Sequence, residues 1–405
     1  MNKKILLLTI TVLMSMCAFA QRYYSKVFDS VMVDSWIQYG FNFDCNGDST
    51  NLFLDIYKPW GDTAINVPLV VLAHGGSFIQ GNRSSTDMIA LCKELAKRGY
   101  TVCTIDYRLK INLTSGNTLS KEFSQAVWRA TQDLRAAIRY FRKSIATGNV
   151  YHLDSNNIFT GGVSSGGIMG LHLAFLDTYS EFNTIGLDTA VIGDIEGKSG
   201  NPGYSWRVKG VISLSGALGN TSWINNNKNM SLCFMHGDND QTVPYKSAYY
   251  KLFGQNVAFL QGGFSMDSAA TKQNMNTRLY TFNGADHVPF VGNAAYMDTT
   301  VKYIAGYLYK QVTGLTPDAI AEVAADKERF QLFPNPATNS VTINFGTVNY
   351  RDLKVEFMDM TGKVLFGKLA DENAMQISIE NLNPGIYLVR VSNQTQSTFQ
   401  RLVIH

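Results

Sequence analysis

Between Leu69 and Phe282 short apolar runs alternate with stretches whose apolar residues recur at three- and four-residue steps. Leu69–Ala73, Thr101–Ile105, Asn157–Thr160, Val208–Leu214, Ser231–Met235 and Arg278–Phe282 each read as a strand. Asp87 to Arg98 reads as a helix stopped by Gly99, and Val127, Ala130, Leu134, Ile138 and Phe141 mark a long amphipathic helix. Strands that are apolar on both sides must be covered on both sides. With helices between them, they predict an α/β fold: a mostly parallel sheet with helices on both faces.

The two ends of the chain differ from this middle. Lys3 and Lys4, an apolar run from Ile5 to Met14 and the small-x-small triplet Ala18-Phe19-Ala20 form the pattern of a cleavable secretory signal over residues 1–20. The run is too short to span a bilayer, and Met16 suits poorly a lipid-bearing Cys17. No later stretch reads as a transmembrane segment, so the mature chain is expected to leave the cytoplasm through the periplasm. Export permits disulfides, yet Cys45, Cys92, Cys103 and Cys233 show no close spacing, and three of them fall in apolar patterns. They read as buried small hydrophobes, with no pairing deducible.

After Gly314 comes a connector rich in Ala, Asp and Glu, and from Phe330 the chain becomes short strands and turns. Val341, Ile343 and Phe345 alternate with polar residues, as do Leu353, Val355 and Phe357, and later Tyr387, Val389 and Val391. The expected organisation is a signal at 1–20, an α/β domain at 21–313, a linker at 314–329 and an all-β sandwich of about seven strands at 330–405. Three motifs occur there in order: Phe333-Pro334-Asn335-Pro336-Ala337-Thr338-Asn339, Met360-Thr361-Gly362-Lys363 and Leu382-Asn383-Pro384-Gly385-Ile386-Tyr387. This stretch resembles the C-terminal sorting domain of type IX secretion cargo. The resemblance implies secretion machinery as a partner, and a secreted or cell-surface destination.

Charge excludes other classes. Thirty-five Lys and Arg against 32 Asp and Glu leave +3 without long runs, which argues against a nucleic-acid partner. A hydrophobic fraction of 45% argues against disorder.

The strongest local signal for chemistry is Gly162-Val163-Ser164-Ser165-Gly166-Gly167, with a strand leading in and an apolar helix leading out. A nucleophilic serine at such a strained turn needs small residues two before and two after it. Ser164 has Gly162 and Gly166 there, whereas Ser165 would have Val163, so Ser164 is the expected nucleophile. A base must be one of six histidines. His405 ends the C-terminal stretch, His172 lies inside the helix after the serine, His152 sits in a loop, and His74 and His236 each end a strand. His287 follows the last main strand, where a base belongs. The acid should fall between serine and histidine in the chain. Asp238 and Asp240 both follow an apolar strand; Asp240 is chosen as the acid, with Asp238 as a turn residue. Backbone amides at Gly75 and Gly76, in His74-Gly75-Gly76-Ser77, and at Ser165 are the expected oxyanion donors.

In this order and context the motifs resemble the α/β-hydrolase family, especially its carboxylesterase and acetyl- or feruloyl-esterase-like members. Asp106-Tyr107-Arg108-Leu109 also matches a segment of such esterases. The resemblance implies hydrolysis of small or carbohydrate-linked carboxylic esters through an acyl-enzyme, without a metal or organic cofactor. A serine peptidase of the prolyl-oligopeptidase kind, a polyester hydrolase and a non-catalytic surface-binding protein on the same scaffold are the alternatives. The insertion Asp177–Arg207, with Tyr204 and Trp206, leaves open whether it caps a pocket or covers solvent-facing surface.

Overall fold

The computed structural model describes residues 22–184, 187, 192–316, 330–345, 353–359, 362–370, 372–392 and 397–405. The expected signal and most of the linker lie outside these residues. The chain divides into two compact units at Leu315/Thr316.

The first unit is built on an eight-stranded sheet. In chain order its strands are β1 (Val31–Phe43), β2 (Ser49–Pro59), β3 (Val67–Ala73), β4 (Thr101–Ile105), β5 (Leu153–Val163), β6 (Gly210–Leu214), β8 (Ser231–Gly237) and β11 (Thr277–Phe282). A short β7 (Ala217–Leu218) joins the hairpin β9 (Ser247–Leu252) and β10 (Gln255–Gly262) in a separate three-stranded sheet. The large sheet runs β1-β2-β4-β3-β5-β6-β8-β11. From β4 to β11 every neighbouring pair is parallel, and β2 and β1 extend that edge in antiparallel fashion.

Strand β3 shows why the sheet is covered twice. Leu69, Val71 and Ala73 pack on one side with Leu134, Phe141, Ile168 and Leu173. Val70 and Leu72 face the other side, with Leu91, Leu95, Ile304 and Leu308. A period of two puts successive side chains on opposite faces, so a strand apolar at every position requires helices on both. The first face is covered by α2 (Leu119–Ala146) and α3 (Ser165–Phe175), the second by α1 (Thr86–Ala96) and α6 (Ala294–Thr313). A short α4 (Tyr179–Thr184) and α5 (Gly263–Lys272) complete the unit.

The insertion after α4 is held by its backbone. Gln132 donates to the carbonyls of Ile192 and Asp194, Arg135 to that of Ile195, and Arg139 to those of Glu196 (2.6 Å) and Gly200 (2.8 Å). Trp206 lies over the Arg135 guanidinium, 5.2 Å from its carbon, and lines a cavity of about 180 Å³ with Leu173 and Met230. The four cysteines among the described residues are free thiols, and Cys92, Cys103 and Cys233 are buried.

The described residues of the second unit form seven strands in two sheets. β12 (Gln331–Phe333), β13 (Ser340–Asn344) and β16 (Ala374–Ser378) form one; β14 (Lys354–Met358), β15 (Val364–Leu369), β17 (Gly385–Ser392) and β18 (Ser397–Ile404) form the other. Val341, Ile343, Val355, Phe357, Val389 and Val391 meet in one core between them. Asn335 acts as a short substitute strand there: its amide donates to the Arg401 carbonyl at 2.7 Å and accepts from the Val403 amide at 2.9 Å.

Candidate active site

Strand β5 does not stop at Thr160. It runs through Gly161 and Gly162, which pair with Ile212 and Ser213 of β6. Ser164 then turns the chain into α3 with φ 53° and ψ −114°, a backbone conformation that side-chain-bearing residues rarely adopt. The reason for the two flanking glycines is steric and specific. A Cβ on Gly162 or on Gly166 would lie 2.0 Å from the same atom, the carbonyl oxygen of Ala73 at the end of β3. The turn is therefore clamped against a neighbouring strand from both sides, and Ser164 is left only 7% exposed.

The end of β8 and the loop after β11 bring the other groups to this serine. Asp238 accepts from the Gly284 amide at 2.6 Å, Asn239 donates its amide to Ala285, and Asp286 accepts from the Gln241 amide at 2.8 Å. These ties cross between the two loops and set Asp240 beside His287. The His287 Nδ1 lies 2.7 Å from Asp240 Oδ2, and its Nε2 lies 2.9 Å from Ser164 Oγ. A carboxylate can only accept, so Nδ1 carries the proton and Nε2 is left to accept from the serine hydroxyl. Asp238 takes the turn position and Asp240 faces the histidine.

Asp240 has more support than the sequence suggests. Its Oδ1 accepts from the amides of Thr242 (2.8 Å) and Val243 (2.9 Å), and its Oδ2 also meets His236 Nε2 at 3.0 Å. The Gly263 amide donates to His236 Nδ1 at 3.3 Å, which leaves the proton of that ring on Nε2, facing the aspartate. Burial alone would raise the Asp240 pKa. The hydrogen bonds from His236 and His287 overcome this and hold the carboxyl well below its usual range. His236, passed over in the sequence as a strand-end residue, is thus a second histidine on the acid. The signal available was its four-residue spacing from Asp240 across a tight turn.

The glycine loop after β3 lies on the other side of Ser164. A Cβ on Gly75 would sit 3.3 Å from the Ser164 Cβ, so only glycine brings the backbone this close. Gly76 has φ +124° and its carbonyl accepts from the amides of Ile79 and Gln80, closing the turn. Ser165 is the first residue of α3, where helix amides have no partner within the helix. Tyr107 props this arrangement: its hydroxyl donates to the His74 carbonyl at 3.0 Å and lies 3.1 Å from Ser165 Oγ. His74 itself is buried, stacked on Tyr107 at 4.3 Å, with burial lowering its pKa. His172 is buried in α3 and held at Ile168, away from the serine hydroxyl. Asp106 and Arg108, flanking Tyr107, are taken up by Arg83 and Asp133. Among the described residues, no group of three or more His, Cys, Asp or Glu side chains is placed to hold a metal ion.

Residues 54–231 match the BD-FAE family. This stretch is a BD-FAE domain. The BD-FAE domain belongs to the α/β-hydrolase esterases, and it makes the chain an ester hydrolase. It contains Ser164, Ser165 and the Gly75-Gly76 loop, while Asp240 and His287 lie beyond the matched residues. Residues 331–405 match a secretion system C-terminal sorting domain. Among solved structures, the apo form of Thermogutta terrifontis esterase 2 is similar at 20% identity, covering 70% of this chain and 96% of that one, with a TM-score of 0.47. Its propionate-bound form gives 19%, 70%, 95% and 0.48. A truncated carbohydrate esterase from gut microbiota gives 17%, 71%, 98% and 0.46. No curated protein matches the chain.

Proposed function

We propose that the BD-FAE domain is a serine esterase in which Ser164, His287 and Asp240 act as nucleophile, base and acid on carboxylic esters. The observation that carries this reading is the unbroken hydrogen-bond chain from Ser164 Oγ through His287 to Asp240, joined at a strained strand-to-helix turn. In the first step Ser164 Oγ attacks the ester carbonyl carbon while His287 Nε2 takes its proton. Asp240 stabilises the imidazolium that forms and keeps the ring in the productive tautomer. The carbonyl oxygen becomes an oxyanion, received by the amides of Gly75, Gly76 and Ser165, each worth about 10²–10³ in kcat. His287 returns its proton to the departing alkoxide, leaving an acyl-serine. It then deprotonates a water that attacks the acyl carbon, and returns that proton to Ser164 Oγ as the acyl bond breaks, freeing the carboxylic acid and the serine hydroxyl. Small and carbohydrate-linked esters are the substrates we assign to it.

We further propose that the chain is exported, with residues 1–20 removed as a signal and residues 330–405 read by secretion machinery after a linker at 314–329. The matched sorting domain supports this. No helix among the described residues is long and apolar enough to cross a membrane.

Fluorophosphonate labelling of the mature protein, followed by peptide mapping, tests the enzyme reading. One adduct on Ser164, absent from Ser164→Ala, is the expected result. Folded protein that takes no label, or that takes it on another serine, overturns the assignment.

A further inference from the structure

A second cavity, of about 530 Å³, opens between the β1–β2 turn, the loop before α2 and one stripe of α2 itself. None of Ser164, Asp240 and His287 lines it. Its size falls within the range of small-molecule sites. The stripe is Glu122, Gln125, Arg129 and Gln132, spaced so that all four lie on one helix face. Two of these are satisfied by the protein. Glu122 accepts from Ser115 at 2.7 Å and from Asn117 at 2.8 Å, and Gln132 donates to the carbonyls of Ile192 and Asp194.

The other two are not. Arg129 is 8% exposed and Gln125 5%, so both are taken out of bulk water. Among the described residues the side-chain amide of Gln125, which lines the cavity, has no hydrogen-bond partner. Arg129 has one, from Nη2 to the Lys110 carbonyl at 3.2 Å, and no carboxylate within ion-pair distance; its Nε is buried with nothing to donate to. The nearby Asp133 is paired with Arg108 at 2.8 Å and makes no ion pair with Arg129. Burial lowers the Arg129 pKa, an effect that Glu122 and Asp133, neither in ion-pair contact with it, only partly offset. A guanidinium offers five N–H donors in a planar fork that matches a carboxylate. The buried Nε–H lacks any partner, which is costly unless a ligand completes it.

We propose that this cavity binds a small hydroxylated organic carboxylate, the Arg129 fork taking the carboxylate and the Gln125 amide a hydroxyl. The spacing of four residues sets the two groups just over one helical turn apart, about 6 Å along the axis, within reach of a carboxylate and a hydroxyl a few carbons apart. Exposed Lys198, on the rim, adds positive charge at the entrance.

Isothermal titration calorimetry on the full-length protein at low ionic strength, with sodium gluconate as the probe and glucose as its uncharged counterpart, tests this. The expected result is saturable one-to-one binding of gluconate at least tenfold tighter than glucose. Arg129→Gln should weaken it at least tenfold and Gln125→Leu several-fold, both with ester turnover unchanged. Arg129→Gln removes a charge that makes no ion pair and should keep its melting temperature; Gln125→Leu carries the test if it does not fold. Three results overturn the proposal: no saturable binding to folded wild type, equal affinity for glucose, or unchanged gluconate affinity in both variants. Loss of gluconate binding after fluorophosphonate capping of Ser164 also overturns it, since the probe would then occupy the esterase site.

Discussion

Two histidines in the first unit show how position alone divides structural from chemical roles. His236 touches Asp240 and not the serine, so it acts by positioning. Its loss removes one charge-assisted hydrogen bond, worth about 1.5–3 kcal/mol. His236→Ala should therefore lower kcat by roughly 10–100-fold. KM should be unchanged, and His236→Gln, which keeps an N–H donor, should recover most of the lost kcat; no recovery would reduce His236 to a packing residue. His172 behaves differently. Burial lowers its pKa from 6.5 to about 4, so the folded state refuses a proton that the unfolded chain accepts. Between those values the unfolded state binds more protons, and stability falls as pH falls. Urea unfolding at pH 7 and pH 4.5 should show a loss of about 2–3 kcal/mol that His172→Gln abolishes. In the sequence both rings looked alike, because nothing local says that Asp240 folds back onto one while Ile168 takes the other.

At the scale of elements, what was legible was whatever a single element or its end decides. The strands around Leu69–Ala73 and Ser231–Met235, the serine turn and the aspartate and histidine loops each carry their signal in a few consecutive residues. The β1–β2 extension and the β9–β10 hairpin went unread for the opposite reason. Along β1 only Tyr39 is fully buried, and along β9 only Tyr250 and Leu252, so neither strand shows a clear apolar alternation. Their places are fixed by partners distant in sequence, such as the Tyr39 hydroxyl on the Asp106 carbonyl and the Tyr250 hydroxyl on Ser77. The serine turn makes a sharper prediction. Gly166→Ala puts a methyl 2.0 Å from a rigid strand carbonyl. It should abolish ester turnover and cost several kcal/mol by denaturant unfolding, overpacking of this kind typically costing about 1–3 kcal/mol or more. Alanine at Gly284, where φ is +70° but no neighbour lies within 4 Å, should cost only about 1 kcal/mol and keep turnover.

At the scale of the whole molecule, two units with separate cores imply two separable behaviours. A chain of residues 22–315 should fold alone and keep the kcat of the full protein, and calorimetry of the full chain should resolve two transitions, one of them absent from the short form. A single transition, or an inactive short form, would mean that the units depend on each other. The way α2 grips the insertion has a longer reach. Gln132, Arg135 and Arg139 hold main-chain carbonyls, and every residue type presents the same carbonyl. These contacts are indifferent to side chain, whereas Ser199 on Asp133, Trp206 on Arg135 and the crowded Gly197 and Gly200 are held by what they are. Mutations at the exposed Lys198, Pro202 and Ser205 can accumulate while the loop stays where it is, so these are the positions at which a lineage, or a combinatorial library, can explore new surface chemistry without first losing the scaffold.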